Sequence, residues 1–319
     1  MSSFTDATRS SEATLPTEIA PSYEGLPAPA SSTTKVQEEG KTPLHEKLYR
    51  GISSPMRLLP DFLIIGTQRG GTTSLYHYLQ AHPYIAPATS KDTHFFDKKF
   101  SKGLDWYRGH FPTRLEKFYA EHLRGHPFVT GEASPSYLFY PHVPKRVARV
   151  LPHVKLIILL RNPVSRAYSQ YYHAIELGHE TFSFEESIQC EQERTAREHE
   201  KILADEYYYS QAYKHLSYLS RGIYVDQLQA WMSLFPREQF LILKSEDLYA
   251  DPAAIVNQVL AFLNLPQVET QASKSEYKQY NNNAYPKMDA GLRKRLVEYF
   301  EPHNARLYDL LGVNFGWDH

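Results

Sequence analysis

The chain has 319 residues, of which 42% are hydrophobic and 13% aromatic, and this is enough to fill one large core. A formal net charge of −1 excludes a strong overall attraction to nucleic acid or to an anionic membrane. The single cysteine, Cys190, excludes an intrachain disulfide. The longest apolar runs fall far short of the roughly 20 residues of a membrane helix, and no signal peptide is visible. We therefore expect a soluble protein located in the cytoplasm.

The first part of the chain differs in composition from the rest. Residues 1–45 are rich in Ser, Thr, Ala, Pro and Glu and contain few large apolar side chains. Such a segment cannot bury enough surface to offset its chain entropy, and we predict that it is a disordered leader. Residues 46–59 are interpreted as an approach segment, and residues 60–319 as one folded domain.

Short apolar runs alternate with helical segments through this domain. The runs predict buried strands over residues 61–66, 155–160 and 239–243. Helices are predicted over residues 73–82, 164–177, 251–263 and 291–311, with a mostly helical region over residues 184–235. The alternation predicts an α/β fold of three layers, in which helices flank a central parallel sheet.

A glycine-rich loop joins the first predicted strand to the first predicted helix. It reads G-T-Q-R-G-G-T-T-S and starts at Gly66. Glycines there let successive N–H groups point at one anion, and the helix N-terminus adds a partial positive charge. The chemistry is that of a phosphate site. The residues that we expect to bind the anion are Arg69, Gly70, Gly71, Thr72, Thr73 and Ser74.

The loop differs from a nucleotide triphosphatase P-loop at one decisive position. In the P-loop, G-x-x-x-x-G-K-[ST], the lysine meets the terminal phosphates and the Ser or Thr holds magnesium. Gly66 and Gly71 fit this spacing, but Thr72 stands in the lysine position and the positive charge lies at Arg69. We therefore expect a P-loop-like fold without a metal. A P-loop kinase or NTPase, or a non-catalytic nucleotide-binding protein, is the alternative.

This loop resembles that of the sulfotransferases that use 3′-phosphoadenosine 5′-phosphosulfate (PAPS), especially the branch of the heparan sulfate and prokaryotic enzymes. The resemblance implies PAPS as co-substrate and a hydroxyl or amine of a carbohydrate, lipid or small metabolite as acceptor. It also implies that Arg69 replaces the family's lysine, which stabilises the bridging oxygen as the sulfuryl group leaves. Because arginine does not readily give up a proton, electrostatic stabilisation is its expected role.

A second motif follows the predicted strand at residues 155–160. Arg161 stands at the strand end and Ser169 lies two helical turns later, so both side chains can converge on one phosphate. The pair resembles the motif with which the same family binds the 3′-phosphate of PAPS.

The acceptor side is expected in a stretch that reads S-K-D-T-H-F-F-D. In glycosaminoglycan sulfotransferases the similar stretch is K-E-x-H-F-F-D, whose Glu is the general base. By position, Asp92 takes that role here, and His94 is the alternative base. In a third interpretation, His94 and Asp97 only orient the loop. Phe95 and Phe96 are expected in the core.

Two further segments resemble the family. Glu132 begins a stretch similar to E-K-x-P-S-Y, with Ala133 in the lysine position, and we expect it in an active-site charge network or in a structural salt bridge. In the family, a loop near the C-terminus wraps the nucleotide. The residues expected to bind phosphate there are Asn281, Asn282, Asn283 and Tyr285; a turn-rich loop without a ligand is the alternative.

Overall fold

The computed structural model describes residues 43–267, 277 and 285–318. These residues contain one parallel sheet, with strands that pair in the order second, third, first, fourth and fifth along the chain. The strands are β1 (Phe62–Gly66), β2 (Ile85–Pro87), β3 (Val129–Ala133), β4 (Lys155–Leu160) and β5 (Phe240–Lys244).

Helices connect the strands and cover the sheet. They are α1 (Leu44–Ser53), α2 (Thr72–Gln80), α3 (Gly103–Arg108), α4 (Arg114–Phe118), α5 (Val143–Val150), α6 (Pro163–Glu176), α7 (Phe184–Gln189), α8 (Glu191–Ala204), α9 (Gln211–Leu216), α10 (Tyr224–Met232), α11 (Ser245–Ala250), α12 (Pro252–Phe262) and α13 (Ala290–Leu311).

The two faces of the sheet are both buried. Along β1, Phe62 and Ile64 pack with α2 and α12 on one face, and Leu63 and Ile65 pack with α5 and α10 on the other. Alternate residues of a strand point to opposite faces, so a strand covered on both sides needs a continuous apolar run. This is why β1 and β4 read as unbroken apolar stretches. The predicted three-layer α/β fold is confirmed.

Two strands were not expected from the sequence. The structure has β1, β4 and β5 within one residue of the predicted bounds, but the prediction missed β2 and β3. The third strand, V-T-G-E-A, lacks an apolar run because Gly131 and Glu132 occupy buried positions in it. At Gly131 a side chain would collide with the ring of Phe62, 2.5 Å from an added Cβ. Close packing between neighbouring strands therefore decides the residue there.

The predicted leader, apart from residues 43–45, lies outside the described residues, and α1 begins within it at Leu44. Within the described ranges, no helix combines the length and the apolar character that crossing a membrane requires. The cytoplasmic location stays a prediction.

Candidate active site

The loop between β1 and α2 is shaped by its two adjacent glycines. A Cβ at Gly70 would lie 2.8 Å from the carbonyl oxygen of Leu159, which belongs to the neighbouring strand. Gly71 has a φ of 89°, a left-handed conformation that favours glycine, and it caps the N-terminus of α2. Glycine brings no side chain to cover the first N–H groups of the helix. The loop therefore presents its main chain to a ligand.

Arg69 connects this loop to two distant parts of the chain. Its Nε donates a hydrogen bond to the Ser169 hydroxyl at 3.0 Å, and its Nη2 donates to the Tyr285 hydroxyl at 2.8 Å. Its carbonyl oxygen accepts a hydrogen bond from Nη1 of Arg161 at 2.9 Å. Both members of the second motif thus contact the same residue of the first loop.

These elements surround an open pocket with an empty volume of about 650 Å³. Six of the residues predicted for the site line it, and they come from all three segments: the glycine loop, the acceptor stretch and the second motif. The six are Arg69, Gly71, Thr72, Thr73, Asp92 and Arg161. One cavity therefore contains residues of both predicted phosphate motifs and a carboxylate.

The other residues predicted for the site do not line the pocket. Ser169 and Tyr285 adjoin the site through Arg69, while Gly70 and Ser74 line no part of the pocket. Ser74 is almost fully buried in α2. The predicted ligands Asn281, Asn282 and Asn283 lie outside the described residues.

Asp92 presents an acceptor atom without a partner. Its Oδ2 is 2.8 Å from Nζ of Lys91, and among the described residues nothing hydrogen-bonds to its buried Oδ1. The backbone N–H of Asp92 donates to the carbonyl oxygen of Ala133 at 2.9 Å, which ties the residue to the end of β3. Asp92 lines the pocket, and its side chain as a whole is 38% exposed.

His94 contacts a buried carboxylate instead of the pocket. Its Nδ1 is 2.9 Å from Oδ2 of Asp97, which also accepts a hydrogen bond from Ser136 at 2.6 Å. Burial acts to raise the pKa of Asp97, but the nearby His94 and the bond from Ser136 outweigh it, and the pKa lies below its usual range. This geometry favours the interpretation in which the two residues orient the loop. The rings of Phe95 and Phe96 are buried, as expected.

Glu132 does not form the salt bridge that was one of its two expected roles. It is fully buried, and among the described residues its oxygens accept hydrogen bonds from hydroxyl groups instead. Burial raises the pKa of Glu132, and these bonds offset the effect only in part. The hydroxyl donors are Thr93, Tyr107, Ser134 and Tyr137.

Four lining residues with polar side chains were missed in the sequence. Gln68, Lys91, His173 and Tyr249 contribute to the pocket wall. His173 follows Ser169 by four positions on α6, so the two share a helix face, and this spacing was the signal that could have found it. Burial and the charge of Arg69 lower the pKa of His173. No local signal marks Tyr249, whose hydroxyl lies 3.0 Å from the position of a Cβ on Gly71.

Comparison with known proteins identifies the family. A family model described as "Sulfotransferase domain" matches residues 59–303. The human heparan sulfate glucosamine 3-O-sulfotransferase 3B1 is 29% identical over 315 residues, covering 92% of this chain and 73% of its own. The membrane-associated sulfotransferase kil1 of Dictyostelium discoideum is 27% identical over 333 residues, covering 83% of this chain and 68% of its own.

A solved structure agrees with these relatives. A sulfotransferase from Alicyclobacillus acidocaldarius is 31% identical, covers 82% of this chain and 100% of its own, and superposes with a TM-score of 0.60. These findings do not favour a P-loop kinase, an NTPase or a non-catalytic nucleotide-binding protein. Since the family model matches well over half of the residues, the chain belongs to the sulfotransferase family, and its activity is sulfuryl transfer.

Proposed function

We propose that the pocket binds PAPS and that the chain transfers the sulfuryl group of PAPS to a hydroxyl or amine of an acceptor. The observation that carries this proposal is the contact of Arg69 with both Ser169 and Arg161. Two motifs that each suit a phosphate group meet at one residue, as a ligand with phosphate at two ends requires.

The residues present suit such a ligand. The main chain at Gly71, with the N-terminus of α2, would hold the 5′-phosphosulfate, because the helix N–H groups and the helix dipole favour an anion. The N–H of Gly70 is already bonded to the carbonyl oxygen of Thr67 at 2.9 Å. Arg161 and Ser169 would hold the 3′-phosphate, since a guanidinium matches phosphate oxygens with paired donors.

The reaction we propose is a direct in-line transfer. The acceptor oxygen or nitrogen forms a bond to sulfur while the bond from sulfur to the phosphate oxygen breaks. The carboxylate of Asp92 takes the proton that the acceptor loses, because it lines the pocket and one of its oxygens has no hydrogen-bond partner among the described residues. The positive charge of Arg69 stabilises the negative charge that grows on the departing phosphate.

The name of one relative supports our choice of acceptor class. The human relative is named for the 3-O-sulfation of glucosamine in heparan sulfate. We therefore favour a carbohydrate hydroxyl as the acceptor, with lipid and small-metabolite acceptors as further candidates for the assay.

Two measurements test this function. Calorimetry with adenosine 3′,5′-bisphosphate is expected to show one site per chain, with thermal protection of the protein. Transfer of labelled sulfate from PAPS into a panel of carbohydrate, lipid and small-molecule acceptors, with mass identification of the product, is expected to yield a sulfated species. Folded protein that binds no nucleotide would refute the site, and tight binding without transfer would refute the reaction.

A further inference from the structure

Glu132 is a buried carboxylate beside the acceptor stretch, and its partners are unusual. We propose that Glu132 is a positioning residue that holds the stretch through Thr93, so that Asp92 stays directed at the pocket. The inference rests on the proposed function, in which Asp92 is the base. It assigns a role to a carboxylate that touches neither the nucleotide site nor any cation in the described part of the chain.

One oxygen of Glu132 holds the segment that contains the base. Oε2 accepts a hydrogen bond from the Thr93 hydroxyl at 2.5 Å and another from the Ser134 hydroxyl at 3.0 Å. Ser134 in turn accepts the backbone N–H of His94 at 3.3 Å. Thr93 lies between Asp92 and His94. This oxygen therefore holds the segment directly at Thr93, and it holds His94 indirectly through Ser134.

The other oxygen is held from behind by two tyrosines. Oε1 accepts hydrogen bonds from the hydroxyls of Tyr107 at 2.8 Å and Tyr137 at 3.0 Å. The Tyr137 hydroxyl also accepts the backbone N–H of Phe95 at 2.9 Å. The Tyr107 ring stacks on Phe95, but among the described residues no hydrogen bond joins its hydroxyl to the acceptor stretch, so the hydroxyl supports the carboxylate alone.

The backbone of the stretch needs such support. Asp92 has a φ of 59° and His94 a φ of 52°, both left-handed conformations that are unfavourable for residues with a Cβ. Strained residues persist only where the surroundings hold them in place. Thr93, between these two residues, is the one whose side chain is bonded to Glu132, so the carboxylate acts where the strain is stored.

The cost of the carboxylate supports a role beyond packing. Burying a carboxylate without a cation is unfavourable, and a well-packed apolar residue commonly stabilises a core better than a buried charge does. The position also matters, because Glu132 pairs in register with Leu63 of β1, the strand that leads into the phosphate loop. Glu132 therefore links the acceptor stretch to β1, the strand that leads into the glycine loop.

A pair of variants separates positioning from stability. Thr93→Val and Tyr107→Phe each remove one hydroxyl from the same carboxylate, and both sites are buried. We expect both variants to lower Tm by a similar amount. Only Thr93→Val is expected to lower kcat, by roughly 10- to 100-fold because a misplaced base reacts poorly, with KM for PAPS unchanged. Thr93→Ser, which keeps the hydroxyl, should restore kcat.

Ser134→Ala provides a second test of the same oxygen if Thr93→Val does not fold. It removes the other bond to Oε2 and is also expected to lower kcat more than Tyr107→Phe does. The inference would be overturned if Thr93→Val, or Ser134→Ala in its place, had the same kcat as Tyr107→Phe. The proposed function fails separately, if wild-type protein transfers no sulfate or binds no adenosine 3′,5′-bisphosphate.

Discussion

Arg69 donates a hydrogen bond from Nε to the hydroxyl of Ser169, 100 positions later in the chain, at 3.0 Å. A second bond, from Nη2 to Tyr285, spans 216 positions. The guanidinium is thus held from two sides at the pocket wall. A cation fixed before the reaction stabilises developing charge without the cost of reorganisation.

The charge of Arg69 and the two hydrogen bonds of its guanidinium can be tested separately. Arg69→Met removes both, and we expect kcat to fall by about 10²–10³-fold because charge on the departing phosphate loses its partner. Arg69→Lys keeps the charge but cannot form both bonds, and we expect kcat to stay within about tenfold of the wild type. Steady-state sulfate transfer measures both variants.

Thermal unfolding provides the control for these two variants. Neither Met nor Lys can form both hydrogen bonds that the guanidinium makes to Ser169 and Tyr285, so both variants should lose a similar amount of stability. Similar Tm values with different kcat values would assign the effect to charge. If Arg69→Met transferred sulfate as fast as the wild type, the electrostatic role would be wrong.

Gly70 should tolerate no side chain. The Cβ of Gly70→Ala would lie 2.8 Å from the carbonyl oxygen of Leu159 and 2.9 Å from that of Thr67, and neither main-chain atom can rotate away. We expect the loop to shift, with at least a tenfold loss of affinity for adenosine 3′,5′-bisphosphate in calorimetry and a loss of about 1–3 kcal/mol of stability. Gly51→Ala is the control, because a Cβ at Gly51 meets nothing within 4 Å. Unchanged nucleotide affinity in Gly70→Ala would refute this description of the loop.

Asp92 and His94 make different predictions as bases. We expect Asp92→Asn to lower kcat by roughly 10²–10⁴-fold and to leave nucleotide binding nearly intact, because only the proton acceptor is lost. For His94→Asn we expect a smaller fall, since its Nδ1 bonds to Asp97. Asp105→Asn is the control, as its side chain is 72% exposed. Wild-type turnover by Asp92→Asn would remove this residue as the base.

His215 makes stability depend on pH. Burial, with the neighbouring His179, Lys214, Arg221 and His173, lowers the pKa of His215 from 6.5 to about 3. Between pH 6.5 and about 3, His215 is therefore protonated in the unfolded chain and neutral in the folded chain. Because the unfolded state binds more protons, the free energy of unfolding falls as pH falls through this range.

His215→Phe removes this titration. We expect urea unfolding at pH values from 7.5 to 4.5 to show that proton uptake on unfolding near pH 5 drops by about one proton in this variant. His45→Gln, at an exposed position on α1, is the control and should keep the wild-type dependence. Parallel pH dependences of the wild type and His215→Phe would contradict the assignment.

The sequence was informative where structure depends on neighbours in the chain. The apolar runs of β1 and β4 and the glycine loop are local patterns, and each was predicted close to its observed position. By contrast, β3 was missed because its buried Glu132 is satisfied by hydroxyls such as those of Thr93 and Tyr107, which lie 39 and 25 positions away. Hydrogen bonds of this kind depend on the fold, so the spacing of residues in the sequence does not predict them. The roles assigned to Arg161 and Ser169 at the 3′-phosphate stay predictions.

The pairing of β1 with β3 has a consequence for how such an enzyme could change its substrate. Ile64 pairs with Ala133, and the carbonyl oxygen of Ala133 accepts a hydrogen bond from the main chain of Asp92, so peptide groups link the proposed base to the strand that leads into the glycine loop. These contacts are between main-chain groups and do not depend on which side chains line the rest of the pocket. Substitution of other side chains that line the pocket is therefore expected to change which acceptor fits while this main-chain link stays in place.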